Sequence, residues 1–296
     1  MELQSITPLI LTWNEKPNIE RTLAKLSWAN RIVVVDSFST DGTLELLRRD
    51  PRISICTRRF DSFADQCNFG LLQIDTEWVL SLDADYVCSD DLIREIQALP
   101  ASPAANGFAA SFTYCVGGRP LRGSLYPPRT VLYRRAAAQY VNDGHGHRVV
   151  VAGGVGRLSS TIFHDDRKPI ADFLRAQTGY SRLEADKLRT ASPDDLALVD
   201  RLRRRAWLVP LLTPGYCLLW KGLLLDRTAG LLYTVQRTYT ELLIAMRLLD
   251  YRLRNAVARK ERMQDLIVRP DVPELRSAST EQIERPLRTA PRDPTR

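Results

Sequence analysis

Histidine is scarce in this chain of 296 residues: there are three, His145, His147 and His164. Imidazole chemistry is thereby confined to one short stretch. Cysteine is little more abundant and no better arranged. Cys56, Cys67, Cys88, Cys115 and Cys217 are odd in number and show no C-x-x-C spacing, which argues against a disulfide framework and against a zinc knuckle. They read as buried thiols of a reducing compartment. The opening Met1-Glu2-Leu3-Gln4-Ser5 lacks the basic n-region of a secretory signal, so a cytoplasmic location is expected. No internal repeat is present. An unbroken apolar run of membrane-spanning length, about 20 residues, is also missing. The most apolar stretch, Ala206 to Leu225, is interrupted by Pro210, Pro214, Gly215 and Lys221. Such a segment suits the membrane interface better than the bilayer interior.

Apolar residues make up 44% of the chain, enough for one large α/β core with an appended helical element. The first hundred residues alternate between two periods. Ile6 to Leu11, Arg31 to Asp36, Ile53 to Cys56 and Trp78 to Leu82 read as strands; Ile19 to Leu26, Thr43 to Leu47, Phe63 to Leu72 and Leu92 to Leu99 read as helices. This succession predicts a mostly parallel, Rossmann-like sheet flanked by helices, with ligands bound beyond the carboxyl ends of the strands. Residues 101 to 168 are punctuated by Gly117-Gly118, Pro127-Pro128 and Gly153-Gly154 and predict a half of mixed strand direction. A helical extension follows over 169 to 262. Residues 263 to 296, rich in proline and charge, read as a disordered tail.

Two acids close the fourth predicted strand, in Trp78-Val79-Leu80-Ser81-Leu82-Asp83-Ala84-Asp85. Alternation along a strand places Asp83 and Asp85 on one face. Two like charges so close together call for a cation or a shared proton, unless both are solvated beside a helix cap. Asp36 ends another buried strand, where an ionised carboxylate needs a partner such as a base N–H or a ribose hydroxyl.

The net charge of +7 is unevenly spread. From Arg201 to Arg262 there are 13 Lys or Arg against 4 Asp or Glu, so the basic excess points to a local anionic partner. Trp207, Tyr216, Trp220 and Tyr239 stand among leucines there, a composition for lipid head groups more than for nucleic acid. Packing on the core or a homo-oligomer through the same helices is the competing use of these residues.

Four pieces in order carry a resemblance: Leu11-Thr12-Trp13-Asn14-Glu15; Val34-Val35-Asp36-Ser37-Phe38-Ser39-Thr40-Asp41-Gly42-Thr43; Phe60-Asp61-Ser62-Phe63-Ala64-Asp65-Gln66-Cys67-Asn68; and Trp78 to Asp85. The chain resembles a family 2 glycosyltransferase of the GT-A fold, in the branch of lipopolysaccharide core glycosyltransferases. A weaker match runs through Lys221-Gly222-Leu223-Leu224-Leu225-Asp226 and Ala229-Gly230-Leu231.

The resemblance implies a nucleotide-sugar donor. Asp36, with Asn14 and Glu15 beside it, would meet base or ribose; Gln66 and Asn68 would hydrogen-bond the donor or cap a helix; Asp83 would lie nearer the ribose, and Asp83 and Asp85 at the diphosphate. Mg²⁺ or Mn²⁺ would offset the leaving group's charge, held by Asp85 and Asp83 and completed by His164. Inverting transfer also needs a base at the acceptor hydroxyl, for which Asp143, His145 and His147 are the candidates and Asp143 is favoured. Arg119, Arg122, Arg129 and Arg134 are candidate phosphate contacts. The expected acceptor is a lipid-linked or envelope glycan at an anionic membrane surface, on the inner face of a bacterial plasma membrane. A GT-A-like nucleotidyltransferase, and a basic nucleic-acid-binding protein on a degenerate α/β domain, are the alternatives.

Overall fold

The computed structural model describes residues 1–143 and 146–268. Four strands build the first half: β1 (Ile6–Thr12), β2 (Ile32–Asp36), β3 (Ile53–Thr57) and β4 (Trp78–Asp83). They pair in parallel in the order β3-β2-β1-β4. The crossovers carry α1 (Ile19–Ala24), α2 (Thr43–Leu47) and α3 (Phe63–Leu71). Because β2 leaves β1 on one side and β4 lies on the other, the strand order reverses at β1, and a crevice opens beyond its carboxyl end.

The strands are buried because their alternate residues feed two cores. Ile6, Ile10, Ile32, Val34, Trp78, Leu80 and Leu82 face one layer, with Ile19 and Leu47 of the crossover helices. Leu9, Val33, Val35 and Val79 face the other, against Ala64, Cys67 and Leu71 of α3. Burying each large aliphatic chain contributes about 1.5–3 kcal/mol, so a one-residue slip of any strand would exchange both faces. Ser62 caps α3 by accepting from the Asp65 amide, and Ser89 caps α4 (Asp90–Ala98) by accepting from Leu92.

The second half mixes strand directions. The strands β6 (Gly107–Val116) and β11 (Val155–His164) run parallel to each other. Between β4 and β6 lies β8 (Arg129–Arg134), antiparallel to both. At the far edge β5 (Tyr86–Cys88) pairs antiparallel with β11, and the short β7 (Arg119–Pro120) pairs with the end of β6. A hairpin of β9 (Ala138–Asp143) and β10 (Gly146–Val151) stands apart as its own two-stranded sheet.

One local expectation fails. Asp83 and Asp85 do not share a strand face, since β4 stops at Asp83 and Ala84-Asp85 form the turn into β5. The cause is capture of the backbone from two sides. Thr22 Oγ1 donates to the Ala84 carbonyl at 2.7 Å, and the Asp165 amide donates to the Asp85 carbonyl at 3.0 Å.

One compact unit spans Met1–Arg252 and a second begins at Leu253, whose described residues are helical. The extension comprises α5 (Ile170–Thr190), α6 (Leu198–Arg203), α7 (Leu208–Gly215) and α8 (Arg227–Val268). Within the first unit, Ala185, Leu188, Leu196, Ala206, Ile244, Ala245 and Leu248 form a small core of their own. Arg203 binds Asp200 and Glu241 beside it. After α7, which carries Pro214 near its end, the chain passes through a π-helical turn (Tyr216–Trp220) and a 3₁₀ turn (Leu223–Asp226). Gly230 seals that corner, because a β-carbon there would overlap the Leu223 carbonyl oxygen. Among the described residues no single helix is long and apolar enough to cross a membrane; Leu208–Trp220 and Leu223–Gln264 meet the criterion only together, across a bend of 74°.

Candidate active site

Three loops meet over the crevice, and each is shaped by polar side chains close to a strand end. The Asp36 carboxylate is fully buried. It accepts from Thr12 Oγ1 at 2.8 Å, from the Ser39 amide at 2.9 Å and from Ser39 Oγ at 2.6 Å. Its hydrogen-bonding capacity is thus largely used in fixing the β2 loop. Asn14, in the left-handed region at φ 54°, ties the β1 loop to the β2 loop: its amide donates to Ser39 Oγ, and its Oδ1 accepts from Thr40. Gly42, at φ 96°, lets the chain turn into α2 in a conformation that disfavours a side chain.

Glu15 points the other way, toward the β11–α5 connection. It forms an ion pair with Lys168 and accepts from Asn18 Nδ2 at 2.8 Å. Asn18 also donates to Asp166 and accepts from the Arg167 amide, so residues 15–18 and 166–168 form one clasp. Burial raises the Glu15 carboxyl to about 7; Lys168 pulls it down and Asp85 pushes it up.

Asp85 meets His164 across the end of the sheet, Oδ2 to Nε2 at 3.0 Å. The pairing follows from register: His164 is the last residue of β11 and lies opposite Tyr86. Burial works against a charged ring, yet the charge and hydrogen bond of Asp85, with Asp83 behind it, raise the His164 pKa overall. Tyr114, Tyr126 and Tyr86 enclose the ring at centroid separations of 4.7, 4.6 and 5.2 Å. Burial, followed by the charge of Asp83, holds the Tyr86 hydroxyl well above its ordinary pKa, so it stays neutral and bonds Tyr126. Asp83 is half-buried and receives no hydrogen bond from the described residues.

The remaining candidates divide. His147 enters the site region: its ring stacks on Phe63 at 5.5 Å and leans on Tyr140 at 5.3 Å. Burial lowers its pKa, Asp83 opposes that and Arg129 reinforces it. Asp143 instead pairs with Lys187 of α5 at 2.8 Å. His145 lies outside the described residues. The amides of Gln66 and Asn68 are engaged by the protein. Gln66 accepts from Arg58 and donates to Ser37, and Asn68 exchanges two hydrogen bonds with the Tyr140 backbone. Of the four arginines, Arg129 reaches the site, over the Tyr126 ring at 5.1 Å and within the field of Asp83. Arg134 caps Trp78 and pairs with Glu77, Arg122 pairs with Asp226, and Arg119 is exposed on β7.

Sequence reasoning passed over Lys168, Tyr114 and Tyr126. The charged run Asp165-Asp166-Arg167-Lys168 directly after a strand was the available signal for Lys168; the tyrosines had none, since only the sheet's closure turns them toward His164.

Asp85 and His164 would be the protein ligands of a divalent cation at this corner, one supplying oxygen and the other nitrogen; the two atoms lie 3.0 Å apart. Among the described residues no three His, Cys, Asp or Glu side chains converge as a ready-made cation site. One or two carboxylates, with the remaining positions left to phosphate and water, is the pattern by which Mg²⁺ is commonly held, and of this pair Asp85 alone is a carboxylate.

A parallel βαβ half with acids over its switch-point crevice, closed by a half of mixed strand direction, defines a GT-A-type α/β fold. Residues 9–155 match the family model for glycosyl transferase family 2, so this chain carries a domain of that family and is a glycosyltransferase. It is 28% identical over 196 residues to the lipopolysaccharide core biosynthesis glycosyltransferase LpsC of Rhizobium meliloti, covering 62% of this chain and 71% of that protein. It is 27% identical over 200 residues to an uncharacterized glycosyltransferase of Rickettsia bellii, covering 62% and 68%. Among solved structures, S. aureus TarS 1-349 in complex with UDP-GlcNAc aligns with a TM-score of 0.45 at 14% identity, over 84% of this chain and 91% of that one.

Proposed function

We propose that this protein is an inverting glycosyltransferase that moves a sugar from a nucleotide-sugar donor to a lipid-linked or envelope glycan at the inner face of a bacterial membrane. The observation that carries the reading is the corner formed by Asp83, Asp85 and His164 over the switch-point crevice. A nucleoside diphosphate gains negative charge as the glycosidic bond breaks, and a divalent cation bound there would neutralise it. Asp85 and His164 would hold the ion, and Asp83 would lie nearer the ribose. Asp36 acts by fixing the β2 loop against Asn14, so that the crevice presents a set shape to base and ribose. Asn18 and Lys168 close the side of the crevice next to Glu15.

The acceptor hydroxyl needs a base on the side away from the diphosphate. Of the described candidates His147 is better placed than Asp143, because its lowered pKa keeps the ring neutral and able to accept a proton. Asp143 is occupied by Lys187.

The acceptor class and the membrane draw support from elsewhere in the molecule. Trp207, Leu211, Leu219, Trp220, Leu224 and Leu225 are exposed, Trp220 at 80%. Lys221 stands over the Tyr216 ring between them. Exposed aromatics and leucines beside cations suit the head-group region of an anionic bilayer. Similarity to a protein named for lipopolysaccharide core biosynthesis agrees with a lipid-borne acceptor.

A panel of nucleotide sugars, screened for thermal stabilisation with and without Mn²⁺, tests the reading, because a ligand that binds the native state raises its melting temperature. One donor should stabilise in a Mn²⁺-dependent way and release nucleoside diphosphate on turnover. Release of pyrophosphate in its place would mean attack at phosphorus and would overturn glycosyl transfer.

A further inference from the structure

Arg237 belongs to the extension, yet its side chain reaches the catalytic half. It follows Tyr233 by four residues on α8, so both project from one helix face. Tyr233 is buried against Leu121 and Tyr114, and its hydroxyl accepts from the Leu125 amide at 2.7 Å. The Arg237 guanidinium lies 5.3 Å from the Tyr233 ring centroid and 5.8 Å from that of Tyr114. Tyr114 packs directly on His164. One aromatic ring therefore separates this cation from the Asp85–His164 corner, and its charge acts on His164.

No ion pair to Arg237 forms among the described residues, although the charges of Asp85 and Asp166 act on the same Tyr114 ring. Of the extension's acids, Asp226 is engaged by Arg122, and Asp200 and Glu241 by Arg203. The Arg237 Nε is buried and without a hydrogen-bond partner. Stacking on tyrosines stabilises the flat face of a guanidinium, but its donors lie in the plane and point along the edge. A buried donor left unmade costs free energy, and a planar fork of N–H groups matches phosphate oxygens. Water can meet such donors singly; a phosphate also meets the charge.

We propose that Arg237 is a receptor for a phosphate group of the substrate, supplied to the active site by the helical extension. The assignment of that phosphate to a glycosyl-transfer substrate rests on the function proposed above. Two sources share the chemistry: the diphosphate of the donor and a phosphate ester on the acceptor glycan. In either case the extension completes the site, and truncation before α8 removes a substrate contact along with a surface.

Calorimetry on the full-length protein and its R237M and R237K forms tests this, with Mn²⁺–pyrophosphate as probe for the donor and inorganic phosphate as probe for the ester. R237M should bind one of the two at least about ten-fold more weakly, the loss expected for a charge-assisted hydrogen bond. R237K should fall between, keeping the charge without the fork. Loss confined to pyrophosphate assigns the donor; loss confined to phosphate assigns the acceptor. Unchanged binding of both probes overturns the proposal, and R237K carries that comparison if R237M does not fold. A D85N form keeps the two ideas apart. Pyrophosphate binding that falls in D85N, with both probes unchanged in R237M, leaves the glycosyl-transfer site standing and removes Arg237 from it. Anion binding lost in R237M, with no turnover of any nucleotide sugar by the wild type, supports the receptor and removes the reading. A wild type that binds neither probe overturns both.

Discussion

The ends of β2 and β4 lie on either side of β1 and carry the same chemical group in opposite conditions. At β2 the Asp36 carboxylate is sealed from solvent and met by three donors from Thr12 and Ser39. At β4, Asp83 receives none from the described residues, and Asp85 is met by His164. The first acid is finished by its own protein; the second pair is left with lone pairs to give. What a strand-end acid does is therefore decided by what the adjoining loops bring to it, and an unfinished carboxylate near a crevice marks where a ligand completes the structure.

The sharpest way to break this comparison is Asp85→Asn. Transfer should fall by about 10³-fold, as when a key electrostatic group is removed from an active site, while the melting temperature holds. Full activity measured as nucleoside diphosphate release would erase the distinction between the two strand ends. The mirror experiment is Asp36→Ala, which leaves Thr12 and Ser39 without their acceptor. It should lower unfolding free energy by about 3 kcal/mol, read by denaturant titration, with a smaller loss in Asp36→Asn.

Glu15 adds a pH axis. With its pKa raised from 4.5 to about 7, the native state retains a proton that the unfolded chain gives up. The associated stability is complete below pH 4.5 and is lost as pH rises through 7. In metal-free buffer the loss should amount to about 3 kcal/mol, and Glu15→Gln should flatten that segment of the stability profile. A wild-type profile that is flat or rises between pH 4.5 and 7 would show Lys168 to dominate the pair. The smallest effect on folding belongs to Leu219→Glu with Trp220→Glu, at 75% and 80% exposure. Stability should stay within about 0.5 kcal/mol while flotation with anionic vesicles is abolished; unchanged flotation would remove the membrane from this face.

The first half of the fold was legible because its information is local. The run Ile32-Val33-Val34-Val35 announces a buried strand, and the spacing of Phe63 to Leu71 announces the helix packed on it. The site was legible only as a set of residue types. Asp83 and Asp85 stand out in the sequence, but their separation into a strand end and a turn depends on Thr22 and Asp165 holding the backbone. His164 reaches Asp85 through antiparallel pairing of β5 with β11, and Glu15 reaches Lys168 across more than half the chain. Hydropathy periods encode which way a residue faces; they do not encode which strand comes to lie beside it. Arg237 was read as one basic residue among many for the same reason.

Gly230 has a mechanical consequence. By letting the first turn of α8 sit against the Leu223 carbonyl, it ties the exposed leucines at 224 and 225 to the base of that helix, with Arg237 ten residues beyond its start at Arg227, about 15 Å of helix. A rod of set length fixes altitude. For an enzyme resting on a lipid surface by those leucines, acceptors would be sorted by how far the reactive hydroxyl stands above the bilayer, and a glycan one sugar too short or too long would miss the site whatever its stereochemistry.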